Sequence, residues 1–208
     1  MSDHIDHHIS QKGILKNTFW IYAAALITAP MQYIIRIIVA QNLPLEQVGL
    51  YYSLLSLTGI LAVYNDLGFK EAIGYFYPKY LAEKDYNKSK TLLWFTLAFQ
   101  LITSCILAGL LYYFAQRIAL NYLNDPTSAF IVQIFGVYLV CYIIYNFVDG
   151  LFLVFQDGFW NKMLSLINYI LLITTIALVP YGLFSFLGVR SNLTGFVLAQ
   201  IVPAVLTI

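Results

Sequence analysis

Apolar stretches of around 20 residues recur along the chain and are separated by short polar links, a spacing that matches what a helix needs to cross about 30 Å of hydrocarbon. The stretches predict spans over about 19–39, 48–77, 91–114, 130–155 and 163–186, with a further apolar run that begins near 193 and is still in progress at Ile208. That last run is short for a span, so the chain looks cut within its sixth helix, and the domain plan is a polar tail at 1–16 and a six-helix bundle at 17–208. Hydrophobicity is continuous within each run. The strands of a membrane barrel would be about 10 residues long and alternate, so a barrel is excluded and the fold class is an all-α polytopic membrane bundle. Pro30 should kink the first span, and Pro180 with Gly182 should bend the end of the fifth. No proline interrupts 48–77, which reads as one continuous helix of about 45 Å.

Composition sharpens this picture. Of 208 residues, 61% are hydrophobic and 17% aromatic, and only 10% are charged, against about 25% in an ordinary soluble domain. The net charge of +1 comes without a basic cluster on a soluble face, so no nucleic-acid partner is expected. Cys105 and Cys141 lie inside apolar runs, where a thiol behaves as a small hydrophobe, and they imply neither a disulfide framework nor a metal site. His4, His7 and His8 stand among two aspartates in the tail, but a metal site needs a defined ligand geometry, and a solvated tail is the better reading. No cofactor is implied. The first apolar run is longer than a signal-peptide core and lacks an Ala-x-Ala end, so it is expected to be retained.

Charge in the links sets the expected orientation. Lys12, Lys16, Lys79, Lys84, Lys88, Lys90 and Lys162 fall on one side, Arg117 and Arg190 on the other, which places the amino terminus and the lysine-rich link in the cytoplasm.

Charges inside the apolar runs are the candidate chemistry. In Asn65 to Glu71, Asp66 and Lys70 stand four apart with the acid first, the favourable order for a helical ion pair, on a face shared with Gly59, Ala62 and Gly74. Glu71 points elsewhere on the wheel and has no obvious local partner. In the first span Thr28, Gln32 and Arg36 form a stripe at steps of four that should face protein or water. In the third, Thr96, Gln100 and Thr103 form a weaker stripe that reads as helix–helix glue. In the fourth, Tyr138, Tyr142, Tyr145, Asp149 and Phe152 make an aromatic face with an acid in it. Each has a purely structural counterpart: Asp66 and Lys70 as a pair fixing helix register, Arg36 snorkelling to the interface, the aromatics as ordinary packing. An unpaired carboxylate costs several kcal/mol in lipid, and that weighs toward function for Asp149.

From Asn17 through Lys90 the sequence resembles the amino-terminal half of a polysaccharide flippase of the multidrug/oligosaccharidyl-lipid/polysaccharide exporter superfamily. The resemblance is carried by Asn17 to Trp20 opening the first span, Ala40 to Gly49 (AQNLPLEQVG), Asp66-Leu67-Gly68, and Pro78 to Asp85 (PKYLAEKD), in order and at the right spacing. It implies two six-span bundles around a central cavity and movement of lipid-linked oligosaccharide across the cytoplasmic membrane by alternating access. Two family arginines are replaced by Gln41 and Tyr75, so their cationic roles do not carry over. On this reading Arg36 and Lys70 meet the diphosphate of an undecaprenyl-linked glycan, Tyr142 and Tyr145 stack on sugars, Gln32 lines the path, and Asp66, Glu71 and Asp149 gate or bind coupling protons or Na+. The implied partners are the lipid-linked oligosaccharide, membrane lipids, and glycan polymerase and assembly proteins. Competing readings are a cation-coupled drug exporter or a peptidoglycan-precursor flippase, a membrane enzyme of glycan assembly, and a structural module. An enzyme is disfavoured because the outer links are short and carry no histidine.

Overall fold

A computed structural model describes residues 2–121, 128–154, 158–183 and 192–207, with side chains described from residue 18 onward except 20–21, 153–154, 158–161 and 192. The elements are α1 (Ser2–Asn42), α2 (Leu45–Asp66), α3 (Phe69–Ala82), α4 (Tyr86–Asn121), α5 (Ala129–Val154), α6 (Gly158–Leu178), a 3-10 turn (Val179–Tyr181) and α7 (Asn192–Leu206). Among the described residues, α2, α4, α5, α6 and the part of α1 from Tyr22 onward are long and apolar enough to cross a membrane, and α7 is a shorter apolar helix. The molecule is an all-α polytopic membrane protein.

Helix boundaries depart from the hydropathy reading in three places. Helix α1 extends back to Ser2, through the segment expected to be an unstructured tail. No proline lies between Ser2 and Pro30, and extending an existing helix is far easier than nucleating one. The side chains of His4, His7 and His8 lie outside the described residues. Helix α4 has 36 residues, so at about 1.5 Å per residue it is some 54 Å long and overshoots the expected 91–114 at both ends.

The third departure concerns the expected continuous helix over 48–77. It breaks at Leu67 (φ 47°) and Gly68 (φ 81°), two successive left-handed residues that end α2 and start α3. Gly68 adopts this conformation without a Cβ penalty, and Asn65 and Asp66 just before it are residues of low helix propensity. Absence of proline was not enough to keep the helix whole. Conversely, α3 runs through Pro78 to Ala82.

The α3–α4 link is closed by local bonds. The Asp85 amide donates to the Tyr80 carbonyl at 2.9 Å and the Lys84 amide to Leu81 at 3.0 Å. Asp85 then caps α4, accepting from the Lys88 amide at 3.1 Å and pairing with Lys88 Nζ at 2.6 Å. The Lys88 ammonium holds the Asp85 carboxyl below its ordinary range. At the other end of the chain, the 3-10 turn containing Pro180 and the left-handed Gly182 (φ 85°) finish α6 where a bend was expected.

Helices α5 and α7 form the interior. Phe135 and Leu139 of α5 and Phe196 and Val197 of α7 are fully buried, and Tyr51 and Leu54 of α2 and Val39 of α1 pack into the same core. Within lipid, close packing and inter-helix polar bonds rather than water exclusion hold helices together. Such ties recur here. Gly136 lets α5 approach α4 so closely that a Cβ would stand 3.3 Å from the Ala108 carbonyl. Gln200 of α7 donates to the Tyr51 hydroxyl of α2, and Asn168 of α6 donates to Thr207 at 3.0 Å. The perimeter exposes Leu26, Trp94, Ile102 and Tyr113, a surface suited to hydrocarbon.

Candidate functional site

The break between α2 and α3 opens on a cavity of about 320 Å³ bounded by α2, α3, α4 and α5. Four of the sequence candidates, Asp66, Lys70, Glu71 and Tyr142, line it, together with Asn65, Gln100 and Asn146. Gly59, Ala62 and Gly150 leave room between the helices.

Asp66 does not pair with Lys70. Its Oδ1 accepts from Gln100 Nε2 at 3.0 Å, across 34 residues of sequence, and Gln100 is 5% exposed. The left-handed residues between Asp66 and Lys70 remove the helical register that the expected ion pair required. Lys70 instead lays its stem on α5 at Gly150, where a Cβ would stand 3.4 Å from Cε and 3.5 Å from Cγ. The same break turns Glu71, which a continuous helix would direct elsewhere, into the cavity wall, with Oε2 3.9 Å from where a Cβ on Gly68 would lie. Gly74, expected on the same face, is not among the lining residues.

On α5 the cavity face is Tyr142, Asn146 and Gly150, at successive steps of four. Tyr142 sits at its edge, and the remaining candidates fall on the far side, toward α6. The Tyr145 hydroxyl bonds Ser165 and feels the charge of Asp149, and Tyr169 feels both Asp149 and Tyr142. Gln32 of α1 donates to the Tyr169 hydroxyl at 2.8 Å, so it ties α1 to α6 rather than lining the cavity. Tyr142 adjoins both groups, lining the cavity and acting electrostatically on Tyr169.

Arg36 stands apart. It is exposed and acts electrostatically on Tyr52, 14 residues before Asp66 and therefore about 21 Å away along α2. Lys70 is thus the cationic side chain among the cavity-lining residues, against the carboxylates of Asp66 and Glu71.

Sequence reasoning passed over three lining residues. Gln100 belongs to a stripe that reads as glue in sequence, and in the fold Thr96, Gln100 and Ser104 are all buried and repeat at steps of four. Asn146 was legible as the residue between Tyr142 and Gly150 on the same repeat. Asn65 gave no signal beyond being polar in an apolar run. It is 3% exposed, and among the described residues neither its Oδ1 nor its Nδ2 has a hydrogen-bond partner. Among the described residues no group of three or more His, Cys, Asp or Glu has the grouping to hold a metal ion.

No solved structure matches the chain. An uncharacterized membrane protein of Methanocaldococcus jannaschii, MJ1068, is 32% identical over 111 residues, 53% of this chain and 22% of that protein, so the match spans about a fifth of the relative's length. The profile of the polysaccharide biosynthesis protein family matches residues 14–208, nearly the whole sequence. An apolar bundle with a polar cavity at a broken span, matched over that length, belongs to the polysaccharide biosynthesis protein family.

Proposed function

We propose that the protein is part or all of a transporter that flips a lipid-linked oligosaccharide, an undecaprenyl-diphosphate glycan, across the cytoplasmic membrane by alternating access. The observation that carries this reading is the cavity itself. A carboxylate pair, a lysine, carboxamides and a tyrosine converge at a broken helix within a bundle built for lipid, in a family concerned with polysaccharide biosynthesis. Discontinuous helices that bring polar groups to mid-membrane are a recurring solution for binding polar cargo between transporter helices. Lys70 supplies a point charge for phosphate, Tyr142 a ring face for sugar, and Asp66 and Glu71 carboxylates whose protonation or Na+ occupancy couples transport to an ion gradient. The lysine-rich α3–α4 link supports an amino terminus on the cytoplasmic side, and a cargo of this kind fits the inner membrane. Glycan polymerase and assembly proteins are the natural partners of such a step. No bond-making chemistry is assigned to it.

A second reading is favoured by one feature. Two lining carboxylates against one lysine, with Arg36 elsewhere, suit a cation-coupled exporter of cationic cargo. Complementation separates the two. In a cell lacking its glycan flippase, the full-length protein should restore surface glycan, and Lys70→Ala, Asp66→Asn and Glu71→Gln should each lose it at unchanged expression. Normal glycan from all three variants refutes the site. Failure to restore glycan, with resistance to cationic drugs instead, selects the exporter.

A further inference from the structure

Asn65 lines the cavity with a buried carboxamide whose two polar atoms both lack a hydrogen-bond partner among the described residues. Buried amides are ordinarily bonded, and an exception of this kind asks for a ligand or a water. The neighbouring polar atoms are already directed. Gln100 Nε2 is held by Asp66 Oδ1, and Asn146 Nδ2 donates to the Tyr142 carbonyl at 2.8 Å within its own helix. The Asn65 carboxamide, sealed within the cavity wall, adjoins Asp66 in the chain, and the Gln100 bond engages only Oδ1 of that carboxylate.

What Asn65 lacks constrains what it binds. A carboxamide offers an acceptor and two donors. A metal cation or a proton satisfies Oδ1 and leaves Nδ2 bare. A phosphate accepts from Nδ2, leaves Oδ1 bare, and meets the carboxylates of Asp66 and Glu71. A pair of adjacent hydroxyls does both: one donates to Oδ1 and the other accepts from Nδ2, and the second hydroxyl's own proton is then free for Asp66 Oδ2. The cavity volume of about 320 Å³ lies at the small end of ligand sites, which run to about 1,000 Å³, and suits one sugar unit rather than a long chain. The Tyr142 ring is available for the apolar face of such a unit. The terminal torsion of an asparagine is broad, so the carboxamide can turn onto a ligand without moving the helix.

We infer that the corner formed by Asn65 and Asp66 is a subsite for a vicinal diol of an uncharged sugar ring, distinct in chemistry from the Lys70 side of the cavity. The inference rests on the transporter reading for its biological meaning and on the unpaired carboxamide for its chemistry. It divides the cargo's recognition, with neutral sugar at Asn65 and anionic phosphate toward Lys70.

Saturation-transfer NMR on the full-length protein in lipid nanodiscs tests it, with methyl β-glucopyranoside as the probe and 2-methoxytetrahydropyran, which lacks hydroxyls, as the control. The glucoside should receive saturation and the control should not, and Asn65→Leu should weaken the glucoside signal roughly tenfold, the scale of one lost buried hydrogen-bonding group. The same variant should melt at a higher temperature than the natural protein, because it removes an unsatisfied polar group, whereas a purely structural asparagine would lower it. If Asn65→Leu does not fold, Asn65→Ala reads the same signal. Equal saturation of both probes, no saturation by the natural protein, as when ordered water alone fills the corner, or an unchanged signal in the variant overturns the inference. So does an Asn65-dependent thermal shift by sodium or inorganic pyrophosphate with no glucoside binding. Translocation of lipid-linked glycan in proteoliposomes separates the two levels. Glucoside binding without translocation keeps the subsite and removes the transporter; translocation equal in natural and Asn65→Leu proteins does the reverse.

Discussion

Asp66 turns its carboxylate to a residue on another helix and leaves the lysine four positions away to α5. Gln100→Leu should therefore remove a bond to a part-buried charge and cost about 1–3 kcal/mol, read by chemical denaturation in detergent. A double-mutant cycle between Asp66→Asn and Gln100→Leu should show coupling of about 0.5 kcal/mol or more, while the cycle between Asp66→Asn and Lys70→Ala should show less than that. The reverse ranking would restore the ion pair that sequence spacing suggested. Asp66, Lys70, Glu71 and Tyr142 were legible as candidates because charge and ring hydroxyls stand out in an apolar chain. Their partners were not. A helical wheel relates residues on one helix, whereas the Asp66–Gln100 bond and the unpaired state of Asn65 depend on how α2, α4 and α5 are rotated against one another. Arg36 is a charge in an apolar run that does not line this cavity, and Arg36→Ala should impair transport less than Lys70→Ala.

At the level of elements, the α2–α3 break is the feature that hydropathy hid. Asp66-Leu67-Gly68 lies in a window apolar enough to continue a span, and a single glycine does not announce a stop. Backbone conformation makes the two positions respond oppositely. Gly68→Ala should lose about 1–2 kcal/mol, the cost of a Cβ in the left-handed region, and Leu67→Gly should relieve a similar strain, both measured as shifts in denaturation midpoint. Equal and opposite effects at 67 and 68 would establish that the break is held rather than flexible. The α3–α4 link carries its own signature. Because Lys88 depresses the Asp85 carboxyl, that group stabilises the fold fully above its unfolded value of 3.8, and the contribution is lost as pH falls through its lower folded value. The melting-temperature gap between the natural protein and Asp85→Asn should thus persist at neutral pH and close only in acid below the ordinary carboxylate range.

For the molecule as a whole, the fold class was open to reading because hydrocarbon thickness leaves few options for apolar runs of this length, and five of the helices are long enough to span. Orientation is the property still resting on charge alone. Lys84→Cys, on the link between α3 and α4, should be labelled by a membrane-impermeant maleimide in inverted vesicles and not in intact cells, and labelling from outside would reverse the topology. The background from Cys105 and Cys141 is small, because both lie in spans. One consequence of the broken span reaches further. The last carbonyls of α2 have no helical amides ahead of them, since the chain turns left-handed at Leu67, and hydrocarbon offers nothing in exchange. Such backbone is tolerated within a bilayer where it meets protein or a polar cavity, and the cavity at Asp66 is that setting, so the position of the break also marks where a polar medium can reach into this bundle. Healing the break, for example by replacing Leu67-Gly68 with two alanines, should bring Glu71 out of the cavity wall and leave that medium fewer polar groups to meet.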